Sequence, residues 1–236
     1  MSTWIVVPTY QERDNIEPII RAILAVVPAV SILVVDDNSP DGTATIVKAL
    51  QAQIPSLRLL LREKKQGLGQ AYIAGFNEVM RLDPVARSIV MMDADFSHDP
   101  THLPGLLQAA EQYELVVGSR YIPGGGAEGL EGLRLALSQG GNFYARLITG
   151  MPVHDSTTGF NVLRVDLLKR VLSRGLDLAS GYAFQIELKY LMWKAGASVK
   201  EFPIHFKLRH AGKSKMSGSI VLEGALAPWR LRLRHK

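Results

Sequence analysis

Cysteine is absent from the 236 residues, so neither a disulfide framework nor a thiolate metal site can form, and a reducing compartment is permitted. Long apolar runs are missing too. The longest, ILAVVPAVSILVV at 23–35, is broken by Pro28 and Ser31 and falls short of the roughly 20 residues that span a bilayer, so no transmembrane helix is expected. The opening MSTWIVVPTYQERDN has no basic stretch followed by a long apolar one, and no signal peptide is expected. Acidic side chains are scarce at one end. Between Lys207 and Lys236, eight Lys/Arg accompany a single acid, Glu223, a net of +7 against +5 for the whole chain. The basic character therefore belongs to the C-terminal end. It points to an anionic partner there: phosphate, anionic lipid or nucleic acid. No basic surface interleaved with aromatics accompanies it, which disfavours nucleic acid.

The length fits one α/β domain or two small ones, and no repeat or linker divides the chain. Short apolar runs at 4–7, 31–35, 57–61, 88–92 and 114–118 read as buried strands. Between the first two, Ile16, Ile19, Ile20, Ile23, Leu24 and Val27 repeat at helical spacing. Further helices fit 43–50, 69–81 and 101–113, then 133–148 and 181–195, with an alternating strand at 199–206. Strands alternating with helices predict a mostly parallel sheet flanked by helices. Ligands bind at the carboxyl ends of such strands. Four polar segments fall there: PTYQE, DDNSPDGT, REKKQGLGQ and DADFSHDP.

Asp93 and Asp95 flank small Ala94 at one of these strand ends. Their hard oxygens suit Mg²⁺ or Mn²⁺, which keep waters and bind substrate phosphates as well. A solvated turn is the alternative; the convergence of segments on one rim favours the metal. In DDNSPDGT, Asp41 reads as turn chemistry, whereas Asp36 and Asp37 at a buried strand end need donors, from a nucleotide base or from backbone. GLGQAYIAG lacks the third glycine of a dinucleotide fingerprint and the Gly-Lys-Ser/Thr of a P-loop. His98 and His102 are four apart without the glutamate of a zinc helix, and read as solvated or capping. Lys207, Arg209, Lys213 and Lys215 sit among Gly and Ser as a mobile loop or as a flap over phosphates, with Gly212 and Gly218 as hinges. The last residues, with Ile220, Val221, Leu222, Leu226 and Trp229 followed by Arg230, Arg232, Arg234 and Lys236, fit an interfacial helix interrupted at Pro228, or core packing with solvated charges.

Together VVPTYQERDNI, LVVDDNSPDGT, KKQGLGQAYIAGF, MDADFSHDP, VVGSRY, DSTTGFNVLR, SGYAFQIEL and FPIHFKLRHAGKSKMSGS resemble the polyprenol (dolichol) phosphate mannose synthases, family 2 glycosyltransferases. The resemblance runs from about Trp4 to Ser219. The end of the chain is similar to the soluble form of the family. The resemblance implies a GT-A-type, Rossmann-like nucleotide-binding domain at 1–219 and a basic amphipathic tail at 220–236. It implies transfer of mannose from GDP-mannose to polyprenyl phosphate at the cytoplasmic face of a membrane, with peripheral attachment to that surface or to a membrane-anchoring partner protein.

By that resemblance Pro8, Tyr10, Glu12, Val35 and Asp37 hold the nucleoside, and Asp93, Ala94 and Asp95 lie at the diphosphate. Asp93, Asp95 and Ser97 would take the metal, Ser97 standing where some relatives carry Gln. Arg120, Arg209 and Lys215 would bind phosphates, and Asp95, Arg209 and Lys215 would carry catalysis. Arg120, Arg134 and Ser138 would meet the acceptor phosphate. Gln11 stands where Asn is usual, and Gln139 where many relatives have Arg. A transferase using UDP-glucose, another sugar nucleotide, or a non-catalytic nucleotide-sugar-binding subunit are the alternatives.

Overall fold

The computed structural model describes residues 2–176, 181–207 and 218–234; at 181, 182 and 218–225 only the backbone is described. The predicted apolar runs form β1 (Thr3–Thr9), β2 (Ser31–Asp36), β3 (Leu57–Leu61), β4 (Ser88–Met91) and β5 (Leu115–Ser119). The Val, Ile and Leu side chains of β1, β2, β4 and β5 are buried on both faces, as interior strands require, whereas edge strand β3 leaves Leu61 exposed. Between them run α1 (Arg13–Val26), α2 (Thr43–Gln51), α3 (Leu68–Leu82) and α4 (Leu103–Ala109), the last preceded by a 3₁₀ turn at Pro100–His102. Asp41 forms the turn that leads into α2, accepting from Thr43 N at 3.1 Å and Thr43 Oγ1 at 2.7 Å.

The second half departs from simple alternation. After β6 (Gly126–Glu128) and α5 (Gly132–Thr149) comes β7 (Asn161–Arg164), then α6 (Val165–Leu172), α7 (Gly181–Lys194), β8 (Val199–Pro203), β9 (His205–Lys207) and α8 (Gly218–Arg234). The main sheet has the order β3-β2-β1-β4-β7-β5-β8; β6 and β9 pair separately. β7 is inserted antiparallel between β4 and β5. The other pairings in the sheet are parallel. The run predicted at 199–206 is thus two strands in two sheets.

The sheet separates two apolar cores. α3 lies close on one face because Gly75 has no Cβ; one there would stand 2.6 Å from Val6 Cγ1 and 3.0 Å from Val35 Cγ2. α8 runs through Pro228 without the interruption expected there. It packs on α5 and α7, buries Ala227 and Leu231, and is tied to α5 by Trp229 Nε1–H to Tyr144 OH (2.8 Å) and Arg232 to Ile148 O (2.7 Å). Among the described residues no helix is long and apolar enough to cross a membrane.

Candidate active site

β2 and β3 wind away from β1 on one side while β4 lies on the other, so the carboxyl ends of β1 and β4 border a topological switch point. The loops after β1, β2 and β4 meet there. Each carries one non-glycine residue in the left-handed region: Gln11 (φ 61°), Asn38 (φ 55°) and Phe96 (φ 61°). Among the described residues no other non-glycine has positive φ, and such strain concentrates at functional sites. Asn, which the family resemblance leads one to expect at position 11, tolerates this conformation better than Gln.

At the β2 end the two acids have separate tasks. Asp36 is spent locally: Oδ2 accepts from Thr9 Oγ1 (2.8 Å) and Ser39 Oγ (2.6 Å), and Oδ1 from Ser39 N (2.9 Å). Asp37 meets Arg62, with Oδ1 2.6 Å from its guanidinium. Burial pushes the Asp37 carboxyl above its ordinary range while Arg62 pulls it back. Arg62 is itself oriented by Gln66 and by its own N–H to Asp36 O. Tyr10 lies beneath Lys65, whose Nζ is 4.0 Å from the ring centroid. Glu12 begins α1: its carbonyl accepts from Ile16 N, and its carboxylate from Asn15 Nδ2 at 2.8 Å. Pro8 is in β1, opposite Val35.

After β4, the Asp93 carboxylate is partly exposed and Asp95 is buried. Ser97 N–H donates to Asp95 Oδ1 at 3.0 Å, closing a turn around Phe96. Asp93 N–H donates to His98 Nδ1 at 3.0 Å, and His98 Nε2 stands 4.0 Å from Asp93 Oδ2. His98 is only 3 % exposed and stacks on Phe160. Burial lowers its pKa, and an acceptor Nδ1 leaves the proton of the neutral ring on Nε2, facing the carboxylate. The Tyr72 hydroxyl lies 3.5 Å from Asp93 Oδ1; burial and the nearby acid raise its pKa well above the ordinary value, so it stays a donor. Two oxygen donors with small, buried Ala94 between them fit a hard divalent cation that retains water and phosphate ligands. Among the described residues no group of three His, Cys, Asp or Glu closes a protein-only cage.

Several expected contacts are placed differently. The Val35 side chain is fully buried against Gly75, and its backbone belongs to the sheet ladder, so that side chain meets the core rather than a nucleoside. Arg120 grips buried Asp155 through Nε (2.6 Å) and Nη2 (2.7 Å), with Nη2 also 3.0 Å from Thr157 Oγ1. Its charge is offset by that carboxylate before any phosphate arrives. Arg134 is exposed on the first turn of α5; Ser138, one turn on, hydrogen-bonds the Tyr121 hydroxyl at 2.6 Å. Arg209, Lys213, Lys215 and the hinge at Gly212 lie outside the described residues. His98 is not solvated but buried, whereas His102 is partly exposed at the start of α4 and accepts from His205 N at 3.1 Å. His98, Tyr72 and Arg62 were missed as site residues. Only the spacing of His98, five after Asp93 in an acidic turn, offered a signal.

A profile of Glycosyl transferase family 2 matches residues 4–172. The chain is 40% identical over 98% of its length to a polyprenol monophosphomannose synthase of Mycolicibacterium smegmatis, covering 88% of that protein. It is 38% identical over 97% of its length to an undecaprenyl-phosphate mannosyltransferase of Micrococcus luteus, covering 94% of it. Among solved structures, it resembles a Mycobacterium tuberculosis glucosyl-3-phosphoglycerate synthase complexed with Mn²⁺, UDP and phosphoglyceric acid: TM-score 0.67, 19% identity, 98% of this chain and 78% of that one. A Pyrobaculum calidifontis mannosyltransferase complexed with GDP-Man and Mn²⁺ gives TM-score 0.58 at 15% identity, over 97% and 71%. These two likenesses are of fold.

Proposed function

The chain belongs to glycosyl transferase family 2, and on that premise we propose that it moves mannose from GDP-mannose to a polyprenyl phosphate, inverting the anomeric centre. The observation that carries this reading is the Asp93–Asp95 pair at the switch point, separated from the Asp37 loop by β1 alone. That is where a sugar nucleotide spans from base to diphosphate. Family membership makes the protein a glycosyltransferase; the nature of its relatives supports mannose and a polyprenyl acceptor.

The acceptor needs little activation. A phosphate monoester has a second pKa of about 6, so at neutral pH it is already an anionic nucleophile. A serine–histidine triad is therefore not required. Asp93 and Asp95, with Ser97 beside them, would hold Mg²⁺ or Mn²⁺, which supplies charge neutralisation at the donor diphosphate. Asp37, oriented by Arg62, would accept from the base, with Tyr10, Glu12 and Pro8 around the nucleoside. Arg209 and Lys215 would bear on the leaving diphosphate, while Arg134 and Ser138 would receive the acceptor phosphate beside Arg120. Two phosphate-bearing substrates repel by several kcal/mol at about 4 Å and intermediate dielectric, which these cations offset. In-line attack on an α donor gives the β-mannosyl phosphate.

The acceptor is a membrane lipid, and α5 and α8 together present a surface suited to one. Leu133, Leu137, Phe143 and Leu147 on α5, with Trp229 and Leu233 on α8, are exposed. Arg134, Arg146, Arg230 and Arg234 flank them. Exposed apolar patches ringed by cations fit the interface of an anionic bilayer, each charge contributing about 1 kcal/mol. The reading is peripheral attachment at the cytoplasmic face, and a membrane-anchoring partner protein would use the same surface. The test is a transfer assay pairing a panel of sugar nucleotides with polyprenyl phosphate and Mg²⁺ or Mn²⁺. Mannosyl-phosphate product from GDP-mannose alone is expected; preference for UDP-glucose would replace the donor assignment.

A further inference from the structure

We propose that Lys189 is a positioning residue for the transfer reaction: from inside α7 its ammonium group clamps the 155–160 strap, and the strap sets both Arg120 and the wall behind Asp93. The proposal rests on the site assigned above. Lys189 is fully buried. Its Nζ donates to Thr158 O at 2.7 Å and Ser156 O at 3.1 Å, and lies 3.4 Å from both Gln185 O and Gln185 Oε1. These four acceptors are neutral. An ammonium buried without a carboxylate in contact is costly, and a similar-sized apolar chain such as Met would fill the space more cheaply.

The gain lies in what the strap touches. At one end Asp155 takes the fork of Arg120. In the middle, Ser156 N–H and Thr157 N–H share Asn142 Oδ1 on α5 (2.8 and 3.3 Å). At the other end Gly159 backs onto the acidic pair: a Cβ there would stand 3.1 Å from His98 Cε1 and 3.8 Å from Asp93 Oδ1. Lys189 thus grips the two carbonyls that bracket Thr157, between the arginine contact and the Asp93 contact. Displacement of the strap would move both together.

The charged groups around Lys189 are Asp155 on the strap, Arg120 after β5 and Glu201 on β8. Burial brings its pKa down to about 7; Asp155 and Glu201 oppose that fall and Arg120 adds to it. The clamp is therefore charged below neutrality. Above it, the neutral amine keeps two hydrogens for the Ser156 and Thr158 carbonyls and no longer carries the cost of burying a charge.

The test uses the full chain as wild type, Lys189→Met and Lys189→Arg. Transfer rates are followed from pH 6 to 9, and amide hydrogen exchange at 155–160 is read at pH 6.5 and 8.5 after correction for intrinsic rates. At pH 6.5, Lys189→Met should lose about tenfold in kcat and about tenfold in protection at Ser156 and Thr157, with other segments unchanged. In wild type, strap protection should rise as pH passes through neutrality, because opening the strap would re-solvate Lys189 and return its pKa toward 10.5, and the transfer rate should change over the same range. Lys189→Met should lack that limb, and Lys189→Arg, charged throughout, should stay flat. If Lys189→Met does not fold, the pH dependence of wild-type strap exchange decides. Transfer by wild type with an unchanged rate, profile and strap protection in Lys189→Met overturns the positioning role and leaves the reaction standing. Strap exchange as expected, with no mannosyl transfer by wild type, upholds the clamp and overturns the reaction assigned to the site.

Discussion

Asp93 and His98 are joined through the backbone amide of the aspartate, which donates to His98 Nδ1 at 3.0 Å, while the other ring nitrogen faces the same residue's carboxylate. A buried, neutral imidazole thus holds the main chain of one acid of the pair and stands beside its carboxylate. If Asp93 holds the metal as proposed, His98→Ala should lower kcat by about 10–100-fold, the usual cost of removing a group that orients a metal ligand. Titration of Mn²⁺ into the variant should show a matching loss of affinity. Wild-type affinity in His98→Ala would count against this coupling.

Asp95→Asn keeps the shape of the side chain and removes its charge. Transfer should fall at least about a hundredfold, with thermal unfolding little changed. Steady-state rates beside a melting curve make the comparison. Full activity would remove Asp95 from the chemistry.

Truncation after Ser219 is a poor probe of membrane attachment, because α8 also supplies Leu231 to the core. Phe143→Glu combined with Leu147→Glu is cleaner, since both side chains are exposed on α5. Co-sedimentation with anionic vesicles should weaken by about tenfold or more, as burial of two large apolar groups is lost, while melting temperature holds. Undiminished vesicle binding would place the lipid contact elsewhere.

Gly75→Ala should destabilise the protein by about 1–3 kcal/mol, because the added methyl meets Val6 and Val35 in a packed interior. Denaturant unfolding, followed by its midpoint at constant slope, measures this.

The buried Lys189 also sets a pH dependence of stability. Its pKa falls from 10.5 when the chain is unfolded to about 7 when folded. Between those values the unfolded chain holds the extra proton, so this group makes unfolding harder as pH rises, by up to about 1.4 kcal/mol per pH unit. Below about pH 7 the full cost of burying the charge is present. Lys189→Met should flatten the slope between pH 7 and 10, as read by chemical denaturation.

By itself the sequence determined the five apolar strands of the first half, the intervening helices, the Asp41 turn and the acidic pair beyond β4. Each depends on neighbours along the chain: period, turn chemistry and spacing are local properties. Tertiary structure alone decided who partners whom. Arg120 finds Asp155 across 35 positions, and Lys189 reaches Thr158 across 31. The four-residue β7 is too short for periodicity to identify, and it takes its direction only from the strands on either side. Val35 and His98 followed the same rule. Packing against α3 turned one from ligand contact to core, and stacking on Phe160 beside Asp93 turned the other from solvent to site, because burial is set by what folds over a residue and not by the residues next to it.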